Sequence, residues 1–182
     1  MLDQTTAPGL DERYTTAITA SNLKVEGDRT GAADLLIAMG WNKSRTGAAL
    51  LRLRTEYDAH ARAPGEDNAT AMRLLCGNLR SLGDVLREVE GWATRARMDR
   101  PRALTLAVVA WWVDRVCKVC HGRKEESIPD TPSLSGQHCK CCHGTGTKLI
   151  PYGDAGKWVA DYMTDCTNAA ASSMHARMYA RR

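Results

Sequence analysis

The sequence contains no phenylalanine, and its other aromatic residues are few. An apolar core must therefore come mainly from Leu, Ala, Val and Met, three of which favour helix. No apolar run approaches the roughly 20 residues that a membrane helix needs. The longest run, Leu104–Val113, ends at Asp114. We predict a mainly α-helical protein that does not bind a membrane.

Motifs of common catalytic sites are also missing. The chain has no glycine-rich phosphate loop, no G-x-S-x-G elbow and no H-E-x-x-H helix. Its first residues, MLDQTTAPGLDER, contain neither a basic region nor an apolar stretch, so no secretory signal is predicted. We expect a cytoplasmic protein that is not an enzyme and takes no small-molecule substrate.

Charge is distributed unevenly along the chain. Residues 1–92 hold 11 Lys and Arg against 13 Asp and Glu, whereas residues 93–182 hold 14 against 8. The basic half also carries the paired cysteines. This asymmetry favours an anionic partner, although a solvated basic surface without a partner accounts for it equally well.

Composition and periodicity divide the chain into four parts. Residues 1–30 are predicted as a flexible arm and residues 31–116 as a helical region. Residues 117–148 form a zinc-binding insertion, and residues 149–182 form C-terminal helices that pack on the helical region. The predicted fold class is thus mainly α, a helical domain with an inserted zinc-binding hairpin.

Individual helices are indicated by apolar spacing, caps and breakers. We expect helices over Ala32–Met39, from Asn42 or Ser44 to Tyr57, over Arg102–Val116, and after Asp154. A further helical stretch from Asn68 to Val89 carries a predicted apolar stripe at Leu75, Leu79, Leu82, Leu86 and Val89. In the last helical region, the side chains expected to face inward are Trp158, Tyr162, Met163 and Cys166.

Two cysteine pairs supply the strongest chemical signal in the sequence. Cys117 and Cys120 are followed, after eighteen residues, by Cys139 and Cys142. The pattern C-x2-C-x(15–20)-C-x2-C is typical of zinc sites, because each short pair can turn both sulfurs towards one metal. Four thiolates complete a tetrahedral site with no open position. The sequence therefore predicts one structural Zn2+ held by these four residues.

Cysteines in this arrangement have other known uses. Each pair is followed by histidine, which is also the pattern of c-type haem attachment, and four cysteines can hold an iron–sulfur cluster. Cys141 could replace Cys139 or Cys142, or His138 could join the ligands. Cys141 is expected to be a bystander, because its position one residue before Cys142 makes a Cys141–Cys142 pair on one metal awkward. A redox dithiol would require a lowered thiolate pKa in a thioredoxin-like context, which the sequence lacks. Cys76 and Cys166 are interpreted as small buried side chains.

Both cysteine pairs resemble a known motif. Cys139-x-x-Cys142-His-Gly-Thr-Gly146 and Cys117-x-x-Cys120-His-Gly122 resemble the CxxCxGxG zinc knuckles of DnaJ-type chaperones. That family has four knuckles and a His-Pro-Asp tripeptide, whereas this chain has two knuckles and no such tripeptide. A DnaJ-like or polymerase-binding interaction module without DNA binding is therefore the alternative function.

Carried on a helical chain of this size, the same knuckles look more like the Q late-gene antiterminators of lambdoid phages. The stretch Gly31–Gly40 also resembles the start of that family's helical region. The resemblance implies a sequence-specific factor that binds double-stranded DNA and bacterial RNA polymerase, including its sigma factor and flap, and promotes readthrough of terminators. Only the four cysteines transfer as site residues, as ligands of zinc.

Candidate DNA contacts come from charge and position alone. Basic residues within and beside the zinc-binding insertion are Arg115, Lys118, Arg123, Lys124, Lys140 and Lys148. A second basic group around Pro101 comprises Arg95, Arg97, Arg100 and Arg102. Guanidinium and ammonium groups so spaced can reach successive phosphates and gain from counterion release. For the second group, a solvated interhelical linker is an equal expectation.

Overall fold

Five helices and one two-stranded sheet are seen in the computed structural model, which describes residues 13, 16–17, 20, 32–40, 42, 44–60, 79–127, 131 and 133–179. The helices are α1 (Ala32–Gly40), α2 (Arg45–His60), α3 (Leu82–Arg95), α4 (Pro101–Val113) and α5 (Gly153–Tyr179), and the strands are β1 (Glu125–Ser127) and β2 (Leu134–His138). The mainly helical class is thereby confirmed. Outside these residues lie most of the predicted arm and the predicted helix start at Asn68.

The chain divides into two compact units. One comprises residues 1–88 and 162–182, and the other comprises residues 89–161. Both α3 and α5 contribute residues to each unit. All the candidate zinc ligands and candidate DNA contacts fall in the second unit.

The first unit has an apolar core of small and flexible side chains. The core residues are Ala17, Ala38, Met39, Ala48, Leu51, Ala170, Met174 and Met178. Ser44 begins α2 as expected, because its hydroxyl accepts a hydrogen bond from the Gly47 N–H at 3.3 Å. The Ser44 hydroxyl also donates to the Cys166 carbonyl of α5 at 3.2 Å. Small residues thus allow α2 and α5 to approach closely.

The second unit is built around α4. Pro101 occupies its first turn, where a missing backbone N–H costs no helical hydrogen bond. The helix buries Leu104, Thr105, Val108, Val109 and Trp112. It ends at Val113, three residues earlier than predicted, because the chain leaves helical geometry at Asp114 and Val116 pairs with Thr147 instead.

Two predicted apolar faces need correction. On α3 the fully buried side chains are Val85, Val89 and Ala93, whereas Leu82 and Leu86 are only half-buried. On α5, Met163 is buried but Trp158 is 63% exposed. The buried stripe of α5 passes through Val159 and Met163, so Trp158 lies on the opposite face. Among the helices that the structure describes, none is long and apolar enough to cross a membrane.

Candidate metal centre

Four buried cysteines converge beside the two-stranded sheet, two in the segment between α4 and β1 and two in the segment after β2. The Sγ atoms of Cys117, Cys120, Cys139 and Cys142 all lie within 4.8 Å of one another. The Cys120 and Cys142 Sγ atoms are 3.6 Å apart, too far for a disulfide of about 2.05 Å. Tetrahedral zinc with Zn–S bonds of about 2.3 Å would separate its sulfurs by ~3.8 Å. The spacing therefore fits a metal ion and is compatible with zinc.

Each cysteine pair lies in a short turn. We call residues Cys117–Lys124 the first cysteine turn and residues Cys139–Gly146 the second. In the first turn, the Arg123 N–H donates to the Cys120 carbonyl at 2.9 Å. In the second, the Thr145 N–H donates to the Cys142 carbonyl at 3.0 Å. In both turns, therefore, the sixth residue after the first cysteine donates its N–H to the carbonyl of the second cysteine.

The two turns also hydrogen-bond to each other reciprocally. The Cys117 N–H donates to the Gly146 carbonyl, and the Cys139 N–H donates to the Lys124 carbonyl, both at 2.9 Å. The flanking pairs are likewise equivalent, because Val116 pairs with Thr147 and Glu125 pairs with His138. Exchanging the two turns, which are 22 residues apart, leaves this pattern unchanged. The backbone around the sulfurs therefore has an approximate internal two-fold symmetry.

Left-handed backbone conformations make the turns tight. The φ angles of His121 and Gly122 are 49° and 81°, and those of His143 and Gly144 are 50° and 80°. A Cβ at Gly146 would lie 2.9 Å from the Gly122 carbonyl oxygen. At this position of the second turn, φ favours glycine and the short distance to the Gly122 carbonyl requires it.

Backbone N–H groups directed at the sulfurs shift their pKa values. The Cys120 N–H is the main cause that lowers the pKa of Cys117 to about 6. Burial raises the pKa of Cys142, but N–H groups including that of Gly146, 3.2 Å from its Sγ, outweigh it and lower the pKa overall. Burial raises the pKa of Cys120 to about 11. These N–H groups stabilise thiolates, the form that binds metal.

Neighbouring thiols and imidazoles stand outside the cluster. Cys141 is exposed, and its hydrogen bond with Cys117 raises its pKa. His138 is also exposed, and its ring lies against Gly144. Cys166 is half-buried, which raises its pKa. Cys76 lies outside the described residues.

The candidate DNA contacts of the insertion fall into two groups. Lys118, Arg123, Lys124 and Lys140 are exposed. By contrast, Lys148 forms an ion pair with Asp114, and the Lys148 carbonyl accepts a hydrogen bond from Trp111 Nε1 at 2.8 Å. These two contacts fasten the chain after the second cysteine turn to the end of α4.

Arg115 is also engaged within the protein. Its guanidinium carbon lies 5.7 Å from the ring centroids of both Trp111 and Trp112, within range of cation–π attraction. The Arg115 carbonyl accepts a hydrogen bond from the Lys148 N–H at 2.7 Å. Arg115 and Lys148 therefore support the cysteine turns, a role that charge counting did not reveal.

The second basic group lies at the other end of α4. Arg95, Arg97, Arg100 and Arg102 are exposed around the turn between α3 and α4. Because α4 has 13 residues, it separates this group from the cysteine turns by about 20 Å along its axis. The two basic groups therefore form separate surfaces rather than one patch.

The knuckle motif was predicted to occur twice, but the two-fold hydrogen bonding between its copies was not. The signal was present, because Cys-Lys at 117 and 139 and Cys-His-Gly at 120 and 142 recur with one offset. Comparison with known proteins adds no relative: no family model, no curated protein and no solved structure matches this chain.

Proposed function

We propose that this chain is a zinc-stabilised transcription antitermination factor of the phage late-gene type, which binds DNA and bacterial RNA polymerase and promotes readthrough of terminators. The observation that carries the zinc assignment is the convergence of four buried Sγ atoms within 4.8 Å. Four sulfur ligands leave no open coordination position, so the proposed metal is structural rather than catalytic. The step to antitermination rests on the resemblance of the cysteine motifs to the Q family.

DNA binding is supported by the exposed cations on the cysteine turns. Lys118, Arg123, Lys124 and Lys140 project from segments whose backbone is tied to the metal centre. A rigid support reduces the conformational entropy lost when such side chains meet phosphates. Arg95, Arg97, Arg100 and Arg102 offer a second phosphate-binding surface at the far end of α4.

Exposed apolar side chains in and beside the cysteine turns favour a second candidate function. In this alternative the protein is an interaction module that binds another protein without DNA. Val116, Val119 and Leu149 are each more than half exposed. Exposed branched side chains contribute to protein contacts, whereas phosphate binding does not require them.

In vitro transcription tests the leading proposal. A template with a late-type promoter and a downstream terminator is transcribed with bacterial RNA polymerase, with and without the zinc-loaded protein. We expect more readthrough product with the protein, and less when Lys118, Arg123, Lys124 and Lys140 are changed together to Ala. Lys157→Ala, an exposed lysine on α5, is the matched control.

Two outcomes would reject parts of the proposal. Unchanged readthrough, with polymerase still captured by the protein, would favour the interaction module. Zinc analysis of the purified protein must give one equivalent and a colourless solution, because haem and iron–sulfur clusters absorb visible light. Absence of bound metal would reject the structural zinc site.

A further inference from the structure

The internal two-fold symmetry places one exposed lysine in each cysteine turn at equivalent positions. Lys118 follows Cys117 directly, as Lys140 follows Cys139. Both side chains are exposed, and the backbones that carry them share reciprocal hydrogen bonds and matched left-handed residues. The two lysines are therefore attached at symmetric backbone positions, one on each cysteine turn.

Neither lysine is held strongly by the part of the protein that the structure describes. The Lys140 Nζ lies 3.8 Å from Glu126 Oε1, with the lysine side chain 86% exposed. An exposed ion pair of this length contributes little. Both lysines are thus available to an external anion, unlike Lys148, which is paired with Asp114.

Duplex DNA is a polyanion with matching symmetry. Its two strands run antiparallel, so that the phosphates of one strand are related to those of the other by local two-fold axes, a relation that two-fold proteins use when they bind. We propose that Lys118 and Lys140 bind phosphates on opposite strands of one duplex, with the internal two-fold of the cysteine turns aligned with a two-fold axis of the DNA. This inference rests on the DNA-binding function proposed above.

The side chains that break the symmetry would set the orientation of the complex. Arg123 and Lys124 of the first turn correspond to Thr145 and Gly146 of the second. Additional cations are therefore present on one side only. The strand that Lys118 contacts would then be the more strongly bound of the two.

Equilibrium binding to a duplex at several salt concentrations tests the pairing. Lys118→Ala, Lys140→Ala and the double variant are compared with Lys157→Ala as the matched control. Losing one phosphate contact should make the slope of log K against log salt less negative by about 0.9. Binding should weaken about eightfold at 0.1 M salt. We expect equal losses from the two single variants, their product in the double variant, and no change in the control.

Duplexes with neutral methylphosphonate linkages in one strand test the strand assignment. Neutralising the strand that Lys118 contacts should weaken Lys118→Ala less than it weakens the wild type and Lys140→Ala. Neutralising the other strand should weaken Lys140→Ala less than it weakens the wild type and Lys118→Ala. Zinc content of every variant shows that the turns remain assembled.

The possible failures are distinguishable. If the wild type does not bind duplex DNA, the proposed function itself fails. If the wild type binds but the lysine variants bind equally well, or both respond to the same strand, DNA binding stands and the two-fold arrangement is overturned.

Discussion

Lys124 and Gly146 occupy equivalent positions in the two cysteine turns, and the carbonyl of each accepts a hydrogen bond from the first cysteine N–H of the opposite turn. Their φ angles, 71° and 78°, are both left-handed. Glycine adopts this conformation freely, whereas a residue with a Cβ does so at a cost of about 1 kcal/mol. The first turn therefore carries strain that the second avoids.

Replacing Lys124 with Gly should stabilise the zinc-loaded protein. Relief of the left-handed conformation favours the folded state by about 1 kcal/mol, and the greater freedom of glycine when unfolded offsets part of it. Thermal unfolding should show a small rise in Tm. Gly146→Ala is the opposing variant and should lower Tm, because its Cβ would meet the Gly122 carbonyl oxygen at 2.9 Å. A lower Tm for Lys124→Gly would contradict this account.

The metal centre was predictable because its signal is local. Spacing within each C-x2-C pair decides whether both sulfurs can face one ion, and the buried cluster contains the four predicted residues and neither Cys141 nor His138. The bounds of α1 and the start of α2 were predictable for the same reason, since Gly40 and Ser44 act on their own helices.

Features that depend on contacts distant in sequence were not predictable. The early end of α4 requires pairing of Val116 with Thr147, which no local propensity encodes. Trp158 was predicted to face inward with Met163, but the face of α5 that is buried depends on the elements packed against it, and Val159 is buried instead. The engagement of Lys148 depends on Asp114, 34 residues away.

An unsatisfied hydroxyl within α4 gives a second prediction. The Oγ1 atom of Thr105 is buried and has no hydrogen-bond partner among the residues that the structure describes, while Thr55 Oγ1 donates to the Leu51 carbonyl at 3.0 Å. A buried polar group without a partner costs roughly 1–3 kcal/mol. Thr105→Val, which keeps the shape, should raise the free energy of unfolding by about 1 kcal/mol. Thr55→Val should lower the free energy of unfolding. Equal changes for the two variants in chemical denaturation would refute the difference between the two hydroxyls.

The close approach of α2 and α5 within the first unit gives a third prediction. A Cβ at Gly47 would lie 1.9 Å from the Cys166 carbonyl oxygen, so Gly47→Ala forces a shift of backbone. We expect a loss of about 2–3 kcal/mol, in the range of other overpacked sites. Gly83→Ala is the control, because a Cβ there meets nothing within 4 Å. That variant should gain about 0.5–1 kcal/mol from helix propensity. Similar urea midpoints for both variants would contradict the close contact.

The shifted cysteine pKa values predict how pH affects the centre. In the metal-free protein, the lowered pKa of Cys117 contributes stability above its ordinary value of 9.0, and this contribution is lost as the pH falls towards about 6. Zinc binds the same thiolates and competes with protons, so release should occur only on the acid side of that value. A chromogenic chelator can follow release across the acid range. Release with a midpoint above about pH 7 would mean that the raised pKa of Cys120, and not the lowered pKa of Cys117, governs the loss of zinc.

Two cysteines separated by one residue provide the most direct test of the ligand set. Cys139 is buried in the cluster, whereas Cys141 is exposed and outside it. Cys139→Ser should remove a thiolate and reduce the zinc content of the purified protein well below one equivalent, because structural sites need all four ligands. The reciprocal hydrogen bonds between the turns should then open, which would be seen as faster amide hydrogen exchange at Cys117 and at position 139. Cys141→Ser should keep both the bound zinc and the slow amide hydrogen exchange. Loss of metal from this variant would instead show that Cys141 is one of the ligands.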